Sequence, residues 1–382
     1  MDNNVNSTSS AGIYNILAEL PQKIPYNDTE VLTNDTEELR LVNYFFSSIS
    51  SHNQEVETLL YEVIGYSLCK TAKLNKAFIF KGKGRNGKSV IFRIIEKLVG
   101  AKQCSHEHLE KLSGSKAGSK TTIKALSGCT VNIAEDQKQP KYINTSILTR
   151  LISGEPISVE QTGNHRIELT PKVTMLFSVN EVIDFKETGI YIKDRFLVIP
   201  FNETFTDDNS NRDINIVEKL CEDKAQQIIA TRAIQAFSKV LKTGKFTIPS
   251  IVEEETKRYF RECNNVEEFC SELPLKTIIT KSQYYDEYCN WCKSNNREAV
   301  SSSKFGKEVL ALGYRAERYQ FEAKRDTYYA SPDFNNSDSK NVYDKYRKQH
   351  DNAESKGTNN EISFNNYLVE CLYNINDNIE NG

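Results

Sequence analysis

The chain of 382 residues is long enough for two or three domains, and its 38% hydrophobic and 26% charged residues are ordinary for a globular protein in water. Its formal net charge of −3 excludes a protein that is basic overall, although positive charge confined to a pore could still bind nucleic acid. No apolar run approaches the roughly 20 residues of a membrane span, the N-terminus lacks the features of a signal peptide, and the nine cysteines are scattered. Together these features predict a cytoplasmic protein with reduced thiols and no membrane partner.

The first part of the chain changes from a polar to a helical pattern. Residues 1–37 are rich in Asn, Ser, Thr and Asp, which predicts a polar N-terminal arm. In residues 38–74, apolar side chains recur at steps of three and four residues between Leu39 and Leu68, which predicts an N-terminal helical section.

A strand, a glycine-rich loop and a helix are predicted next, at the start of a core domain over residues 75–201. The apolar run 77–80 has the length of a strand, and residues 90–99 have a helical apolar spacing that ends at Gly100. Between them the sequence matches the phosphate-binding pattern GxxxxGK[ST] with Gly82, Lys83, Gly84, Arg85, Asn86, Gly87, Lys88 and Ser89. In this context, a chance match in a loop rich in glycine and serine is the weaker interpretation.

This loop would bind ATP and Mg²⁺ through several groups at once. Backbone N–H groups and the positive end of the helix would surround the phosphates, and the glycines would let the backbone approach them closely. Lys88 would reach the β- and γ-phosphates, and the hydroxyl of Ser89 would ligate Mg²⁺. The sequence therefore predicts a nucleotide-binding site at residues 82–89.

An acidic pair and a single asparagine follow two later strand candidates. Residues 130–134 end in Glu135 and Asp136, whose carboxylates could hold the hydration shell of Mg²⁺ or act as the base on water. Which acid has which role is left open, and the alternative is a solvated acidic pair. Residues 173–179 end in Asn180, whose amide could orient the water and sense hydrolysis, although a turn residue is the alternative.

The next strand candidate, residues 195–199, begins with an arginine. The guanidinium of Arg195 could neutralise the charge that develops on a γ-phosphate if it is supplied across a subunit boundary. The alternative is a structural ion pair with Asp194 or Glu203. The order lysine, acid, asparagine, arginine along the chain favours the catalytic interpretation.

The C-terminal half is predicted to contain helices, a small domain and a polar tail. Residues 202–272 are a linker followed by helical patterns, and residues 333–382 are a tail rich in Asn, Asp and Ser. Between them lies a small domain at residues 273–332. Within it, residues 275–331 carry ten Lys and Arg against seven Asp and Glu, a net charge of +3. This local excess indicates a surface for DNA, although a solvated helix face is an equal alternative.

Four motifs together resemble those of the superfamily 3 DNA helicases, and the most similar branch is the primase-helicase group of phages, plasmids and poxviruses. The motifs are Asn86-Gly87-Lys88-Ser89, Glu135-Asp136, Ser178-Val179-Asn180 and the run from Asp194 to Phe201. Leu126-Ser127-Gly128 and residues 152–157 also fit that branch, and the resemblance covers about residues 38–331.

The resemblance implies an α/β fold with an AAA+ P-loop NTPase core, an N-terminal helical section and a C-terminal winged-helix domain at residues 273–332. Such proteins are ATPases that assemble as hexameric rings and translocate on single-stranded DNA from 3′ to 5′. The implied roles are phosphate and Mg²⁺ binding for Lys88 and Ser89, action on metal and water for Glu135 and Asp136, sensing for Asn180 and a trans-acting finger for Arg195.

The resemblance further implies a replicative helicase for a phage, a satellite or another mobile element in the cytoplasm of a bacterial host. The implied partners are single-stranded and double-stranded DNA, further copies of the chain, and a primase or other replication proteins. The candidate DNA contacts are His165 and Arg166, near the tip of a hairpin predicted at 157–160 and 166–169, and Lys304, Lys307, Arg315 and Arg318 in the winged-helix domain.

The chain departs from the family pattern at two points. The hairpin stretch 161–166 lacks a clear match to the basic and aromatic pair of related proteins, and only about 80 residues precede the loop, too few for a primase domain. Two rival functions fit the same residues. One is an initiator that binds origin DNA and uses ATP only to assemble, and the other is a loader ATPase that acts on a host helicase.

Overall fold

The computed structural model describes residues 32, 35–69, 74–113, 120–135, 145–161, 165–183, 185, 190–206, 213–275, 278–321 and 324–332. The predicted tail at 333–382 and nearly all of the predicted arm at 1–37 lie outside these residues. The chain divides into two compact units, Met1–Asn264 and Asn265–Gly382. No helix in the described part of the chain combines the length and the apolar character that a membrane span requires. The domain limits stay predictions.

Two helices precede the central sheet, and each begins after a side chain that caps it. Helix α1, Glu37–Ile49, begins after Thr36, whose Oγ1 accepts a hydrogen bond from the backbone N–H of Leu39 at 3.2 Å. Helix α2, Gln54–Leu68, begins after Asn53, whose Oδ1 accepts from two N–H groups of the first turn. Such caps satisfy donors that have no partner inside the helix. The predicted helical pattern is confirmed.

A five-stranded parallel sheet forms the centre of the first unit. Its strands are β1 (Ala77–Lys81), β2 (Cys104–Ser105), β3 (Val131–Ala134), β6 (Thr174–Val179) and β7 (Phe196–Pro200), in the order β2-β3-β6-β1-β7. Every neighbouring pair is parallel, so all carboxyl ends lie at one edge of the sheet and all amino ends at the other. The four strands that the sequence predicts in this region are confirmed.

Helices cover both faces of this sheet. They are α3 (Lys88–Val99), α4 (Leu109–Ser113), α5 (Lys120–Ser127), α6 (Thr145–Ser153), α7 (Ile190–Lys193), α8 (Ile216–Leu220), α9 (Asp223–Thr243) and α10 (Ser250–Glu262). Alternate residues of β1 point into two apolar cores. Phe78 and Phe80 pack with α2, α3 and α9, whereas Ala77 and Ile79 pack with α6 and α10. Burial on both faces explains why these strands are continuous apolar runs.

A separate antiparallel hairpin consists of β4, Ile157–Gln161, and β5, His165–Leu169. Its last backbone pair joins Gln161 and His165, and residues 162–164 between them lie outside the described residues. The two predicted strands are confirmed. His165 lies just outside the predicted strand 166–169, but it is the first residue of β5 because it pairs with Gln161 across the hairpin.

The second unit has an aromatic core. Its described elements are α11 (Asn265–Glu272), β8 (Ile278–Thr280), α12 (Lys281–Ser294), α13 (Ser302–Ala311), β9 (Arg315–Phe321) and β10 (Lys324–Ala330), with an antiparallel sheet in the order β8-β10-β9. The ring centroids of Phe269 and Tyr284 lie 5.1 Å apart, and those of Tyr288 and Phe305 lie 4.7 Å apart. Aromatic packing of this kind lets a small unit bury a large apolar area. The winged helix stays a prediction.

Candidate functional site

At several positions of the loop between β1 and α3, the backbone conformation or the close packing requires glycine. Gly84 and Gly87 have φ angles of +102° and +87°, in the left-handed region that side chains disfavour. A Cβ on Gly82 would lie 2.1 Å from Nδ2 of Asn86 and 2.5 Å from the carbonyl oxygen of Phe201. The loop is therefore a tight backbone turn, and the glycines of the sequence pattern are required by its geometry.

Helix α3 begins directly at the end of this loop. Its N-cap residue is Gly87, which has no side chain that could bond the first N–H groups of the helix. Unsatisfied N–H groups and the positive end of the helix dipole make such a terminus a binding site for an anion. Ser89, the second residue of the helix, is exposed at this end.

The ammonium group of Lys88 lies inside the loop. Only 4% of the residue is exposed, and Nζ donates hydrogen bonds to the carbonyl oxygen of Gly82 at 2.5 Å and to Oδ1 of Asn86 at 3.0 Å. Asn86 is also buried, and its Nδ2 donates to the carbonyl oxygen of Phe201 at 3.3 Å. Because two loop oxygens hold it, the positive charge is fixed at the centre of the turn.

The loop is joined to the strands on both sides of β1. The N–H of Gly82 donates to the carbonyl oxygen of Val179 at 3.1 Å, and the N–H of Phe201 donates to that of Lys81 at 2.7 Å. Strand β1 lies between β6 and β7. The chain leaves β1 toward β2 at one side of the sheet but leaves β6 toward β7 at the other, so the strand order changes direction between β1 and β6. In open α/β sheets, ligands bind outside the carboxyl ends of the strands at such a point.

Two predicted polar residues lie at the same edge of the sheet as the loop. Glu135 comes directly after β3 and is half-buried, and Asn180 comes directly after β6 and is exposed. The last residue of β6 pairs with the last residue of β1, so Asn180 lies beside Gly82. Asp136 lies outside the described residues. The topology therefore brings Glu135 and Asn180 to the carboxyl edge with the loop.

An arginine that no sequence motif marks, Arg93, interacts electrostatically with Glu135. Arg93 lies on α3, and its Nη1 donates to Oε2 of Glu96 at 2.7 Å. That hydrogen bond raises the pKa of the Arg93 guanidinium, and the negative charge of Glu135 raises it further. The sequence gives no signal for this relation, because Arg93 and Glu135 belong to elements that meet only in the folded chain.

Arg195 lies at the opposite edge of the sheet. It directly precedes β7, its carbonyl oxygen accepts a hydrogen bond from the N–H of Ala77 at 2.8 Å, and its Nε donates to Oγ of Ser153 at 3.2 Å. Strand β7 has five residues, which at about 3.3 Å per residue separates the two edges by about 17 Å. The fold therefore does not bring Arg195 to the loop of its own chain.

A cavity of about 350 Å³ lies beside the loop. Helix α1 contributes Leu41, Tyr44, Phe45 and Ser48, the loop and α3 contribute Arg85, Gly87 and Val90, and the chain after β7 contributes Phe205, Asp213, Ile214 and Ile216. The N–H of Phe205 donates to the carbonyl oxygen of Arg85 at 2.8 Å, which ties this wall to the loop. The lining is mostly apolar with a few polar groups, and its volume is in the range of small-molecule sites. No sequence motif marks it.

The candidate DNA contacts lie on two separate elements. Arg166 is exposed on β5, and the side chain of His165 lies outside the described part of the chain. In the second unit, Lys307 is exposed on α13, and Nζ of Lys304 lies 3.6 Å from Oε1 of Glu308. Arg315 is half-buried at the start of β9, and Arg318 follows in the same strand, with its side chain outside the described residues.

Comparisons with known proteins find one family model that matches part of the chain and two viral relatives. A model described as a family of unknown function (DUF5906) matches residues 80–195, a range that contains the loop, Glu135, Asn180 and Arg195. The chain is 24% identical over 298 residues to "Putative helicase 121R" of Invertebrate iridescent virus 3, covering 70% of this chain and 31% of that protein. It is 24% identical over 327 residues to "Putative helicase 184R" of Invertebrate iridescent virus 6, covering 74% and 33%. The chain spans about a third of the length of these relatives.

Among solved structures, the chain is similar to the C-terminal region of NrS-1. An A-form apo structure of that region has 11% identity and a TM-score of 0.43, covering 80% of this chain and 79% of that chain. A second apo structure, of residues 305–718, has 10% identity and the same TM-score of 0.43.

Proposed function

We propose that this chain is an ATP-driven DNA helicase of the superfamily 3 type, which unwinds duplex DNA during replication of a phage, a satellite or another mobile element. The observation that carries the proposal is the buried ammonium of Lys88, fixed inside a tight loop between a parallel strand and a helix N-terminus. The names of the two viral relatives support the helicase function.

In this proposal the loop binds the triphosphate of ATP. The N–H groups at the start of α3 face the phosphates, and Lys88 turns from the loop oxygens to the β- and γ-phosphates. The hydroxyl of Ser89 and the carboxylates of Glu135 and Asp136 are oxygen donors of the kind that Mg²⁺ prefers. An Mg²⁺ ion held by these groups would supply positive charge to the phosphates, and one of the two carboxylates would take the proton of the attacking water.

The cavity beside the loop supports a nucleotide as the ligand. Arg85 and Gly87 belong both to the cavity wall and to the loop, so a molecule with phosphates in the loop can extend into the cavity. Tyr44 is 54% exposed there and offers a flat apolar face to a base. The base and the ribose therefore occupy the cavity in this proposal.

The position of Arg195 supports assembly into a ring. It lies about 17 Å from the carboxyl edge of its own sheet, a separation that follows from the five residues of β7. A guanidinium at this place can serve the γ-phosphate of a neighbouring copy instead. A closed homo-oligomer, a hexamer in our proposal, gives every site one such arginine. Asn180 then orients the water and senses hydrolysis.

In the ring, the hairpin β4–β5 carries the single-stranded DNA contacts. Arg166 is exposed on β5 and follows His165, and a ring of such side chains can track the phosphate backbone. The second unit, with its basic residues, acts as a winged helix on duplex DNA.

The test is an ATPase assay and an unwinding assay on a forked duplex. Lys88→Ala should lower ATP turnover at least about 100-fold and abolish unwinding, because Lys88 is the one buried cation in the described loop at residues 82–89. Lys97→Ala is the matched control, because Lys97 is exposed near the far end of the same helix. Full turnover in the Lys88→Ala protein would contradict the ATPase function.

A second candidate is an initiator that binds origin DNA and uses ATP only to assemble. The net charge of +3 over residues 275–331 favours it, because this charge lies in one small unit of an acidic chain. ATP turnover without strand separation on the forked duplex would support the initiator over the helicase.

A further inference from the structure

The last residue of β1, directly before the loop, forms a buried ion pair with helix α10. Lys81 lies on the same face of the sheet as Ala77 and Ile79, and its Nζ lies 3.0 Å from Oε1 of Glu255 and 3.6 Å from Oε2 of Glu262. The side chains of Lys81 and Glu255 are only 17% and 7% exposed. Helix α10 is therefore attached to the start of the loop.

The same helix holds the chain that follows Asn180. The N–H of Ile183 donates a hydrogen bond to the hydroxyl of Tyr259 at 3.0 Å, and Sγ of Cys263 donates to the carbonyl oxygen of Ile183 at 3.1 Å. Tyr259 is fully buried, and its ring centroid lies 5.5 Å from Nζ of Lys81. Both polar backbone groups of Ile183 are thus fixed by α10 and the residue that follows it.

Helix α10 itself has a fixed place on the sheet. It packs on the edge strand β7, and Oγ1 of Thr256 accepts a hydrogen bond from the N–H of Val198 at 2.9 Å. This bond satisfies a backbone donor at the open side of an edge strand. One face of α10 therefore holds three points of the sheet in a fixed relation: the start of the loop, the segment after Asn180 and the edge strand.

We propose that Tyr259 and Lys81 are positioning residues that set where Asn180 stands relative to the phosphate-binding loop. This inference rests on the proposed ATPase function. Asn180 itself is exposed, and the nearest fixed point that follows it is Ile183, only three residues along the chain. The residue before Asn180, Val179, is bound to the loop through its carbonyl oxygen, so the short segment that contains Asn180 is held at both ends. Burial raises the pKa of Tyr259 well above its ordinary value, so its hydroxyl stays protonated and neutral.

The decisive variant is Tyr259→Phe, which keeps the buried ring and removes only the hydroxyl. We expect kcat for ATP to fall about tenfold, the effect of one lost hydrogen bond, while KM changes less than about twofold. The two parameters separate because Asn180 acts on the attacking water in the transition state and not on ATP in the ground state. A merely structural role would lower the amount of folded protein and leave kcat per folded chain unchanged.

Tyr288→Phe is the matched control. Tyr288 is also a fully buried helical tyrosine, and its hydroxyl accepts a hydrogen bond from the N–H of Val300 at 3.1 Å, but it belongs to the second unit. We expect its kcat to equal that of the wild type. Hydrogen exchange gives a readout besides turnover, because the amide of Ile183 should exchange faster in Tyr259→Phe and not in Tyr288→Phe.

A double variant tests whether Tyr259 acts through Asn180. If it does, Tyr259→Phe should lower kcat by less than about twofold in an Asn180→Ala background. Reductions that multiply in the double variant, or a wild-type kcat for Tyr259→Phe, would overturn the inference and leave the ATPase proposal intact. A wild-type protein without any ATP turnover would remove both proposals together.

Discussion

The two edges of the central sheet are made by the same five strands but carry different groups. At the carboxyl edge lie the glycine-rich loop, Glu135 and Asn180. At the amino edge lies Arg195, which forms hydrogen bonds with Ala77 and Ser153. In a parallel sheet, the direction of the strands decides which side chains share a site, whatever their distance along the sequence.

This difference between the two edges explains why the proposed ATP hydrolysis would require a second copy of the chain. In our proposal, Lys88, Ser89 and Glu135 of the same chain contact the nucleotide at the carboxyl edge. The arginine that completes the proposed set lies at the other edge, and in our proposal a neighbouring copy supplies it. We therefore expect the largest effects on ATP turnover from substitutions of the residues that differ between the two edges, Arg195 and Lys88.

Arg195→Ala is the change that tests the amino edge most directly. We expect the variant to bind ATP with unchanged affinity and to hydrolyse it about 1000-fold more slowly, because a trans-acting guanidinium stabilises charge that develops only in the transition state. Nucleotide-binding and turnover assays on the purified variant measure the two effects separately. Arg150→Ala is a control on neighbouring helix α6, where Arg150 forms an ion pair with Glu155 at 3.8 Å.

A mixture of Arg195→Ala with Lys88→Ala tests directly whether the arginine acts across a subunit boundary. In assemblies of Arg195→Ala with Lys88→Ala, some interfaces join an intact arginine to an intact loop, and turnover should partly return. If such mixtures are shown to co-assemble and no turnover returns, Arg195 acts within its own chain or has only a structural role.

The sequence was sufficient for the strand, loop and helix around Lys88, because a strand-length apolar run, a fixed glycine pattern and a helical spacing all indicate the same unit. It also placed Glu135 and Asn180 after strands, since buried parallel strands are continuous apolar runs that end abruptly at polar residues. What it could not show was the edge to which each strand end belongs. Arg195 precedes its strand and Asn180 follows another, and the two residues lie at opposite edges because these strands are parallel in the sheet.

Other parts of the site depend on contacts that no local pattern records. Residues 101–128 are rich in Lys, Ser and Gly, and yet they contain β2, α4 and α5, with Leu112 and Ile123 fully buried. Elements of two to eight residues are too short to establish a periodicity. The pairing of Lys81 with Glu255 joins residues far apart in the sequence, and so does the bond between Ile183 and Tyr259.

A smaller effect is expected from a change in the backbone of the loop. Gly87→Ala combines a φ of +87° with a Cβ only 2.7 Å from Cγ2 of Ile49 on α1. We expect the free energy of unfolding to fall by about 2 to 4 kcal/mol, from strain and overpacking together. Gly128→Ala is the matched control, because nothing lies within 4 Å of its Cβ. Urea denaturation of both variants measures the difference, and equal stabilities would show that the loop relaxes at no cost.

The smallest effects are expected from substitutions of the proposed DNA contacts. These substitutions distinguish a single-strand site on the hairpin from a duplex site on the second unit. Arg166 is exposed on the hairpin, whereas Arg315 is half-buried in the second unit, and Nζ of Lys304 lies 3.6 Å from Oε1 of Glu308. A His165→Ala/Arg166→Ala variant should lose about tenfold or more in unwinding rate and in DNA-stimulated turnover, with basal turnover unchanged. Substitution of Lys304, Lys307, Arg315 and Arg318 by Ala should instead weaken duplex binding and leave translocation on single strands in place.

The salt dependence of DNA affinity shows how many phosphate contacts each variant has lost. Each lysine or arginine that contacts a phosphate contributes about one unit to the slope of log affinity against log salt, so a lost contact lowers that slope by about one. Binding of both variants to single-stranded and duplex DNA at two salt concentrations therefore shows which residues touch phosphates and in which form of DNA. Because contacts with phosphate do not depend on base sequence, the loss should be similar for unrelated sequences. If the hairpin variant unwinds DNA like the wild type, the hairpin does not line a DNA pore, and the basic surface of the second unit becomes the leading DNA site.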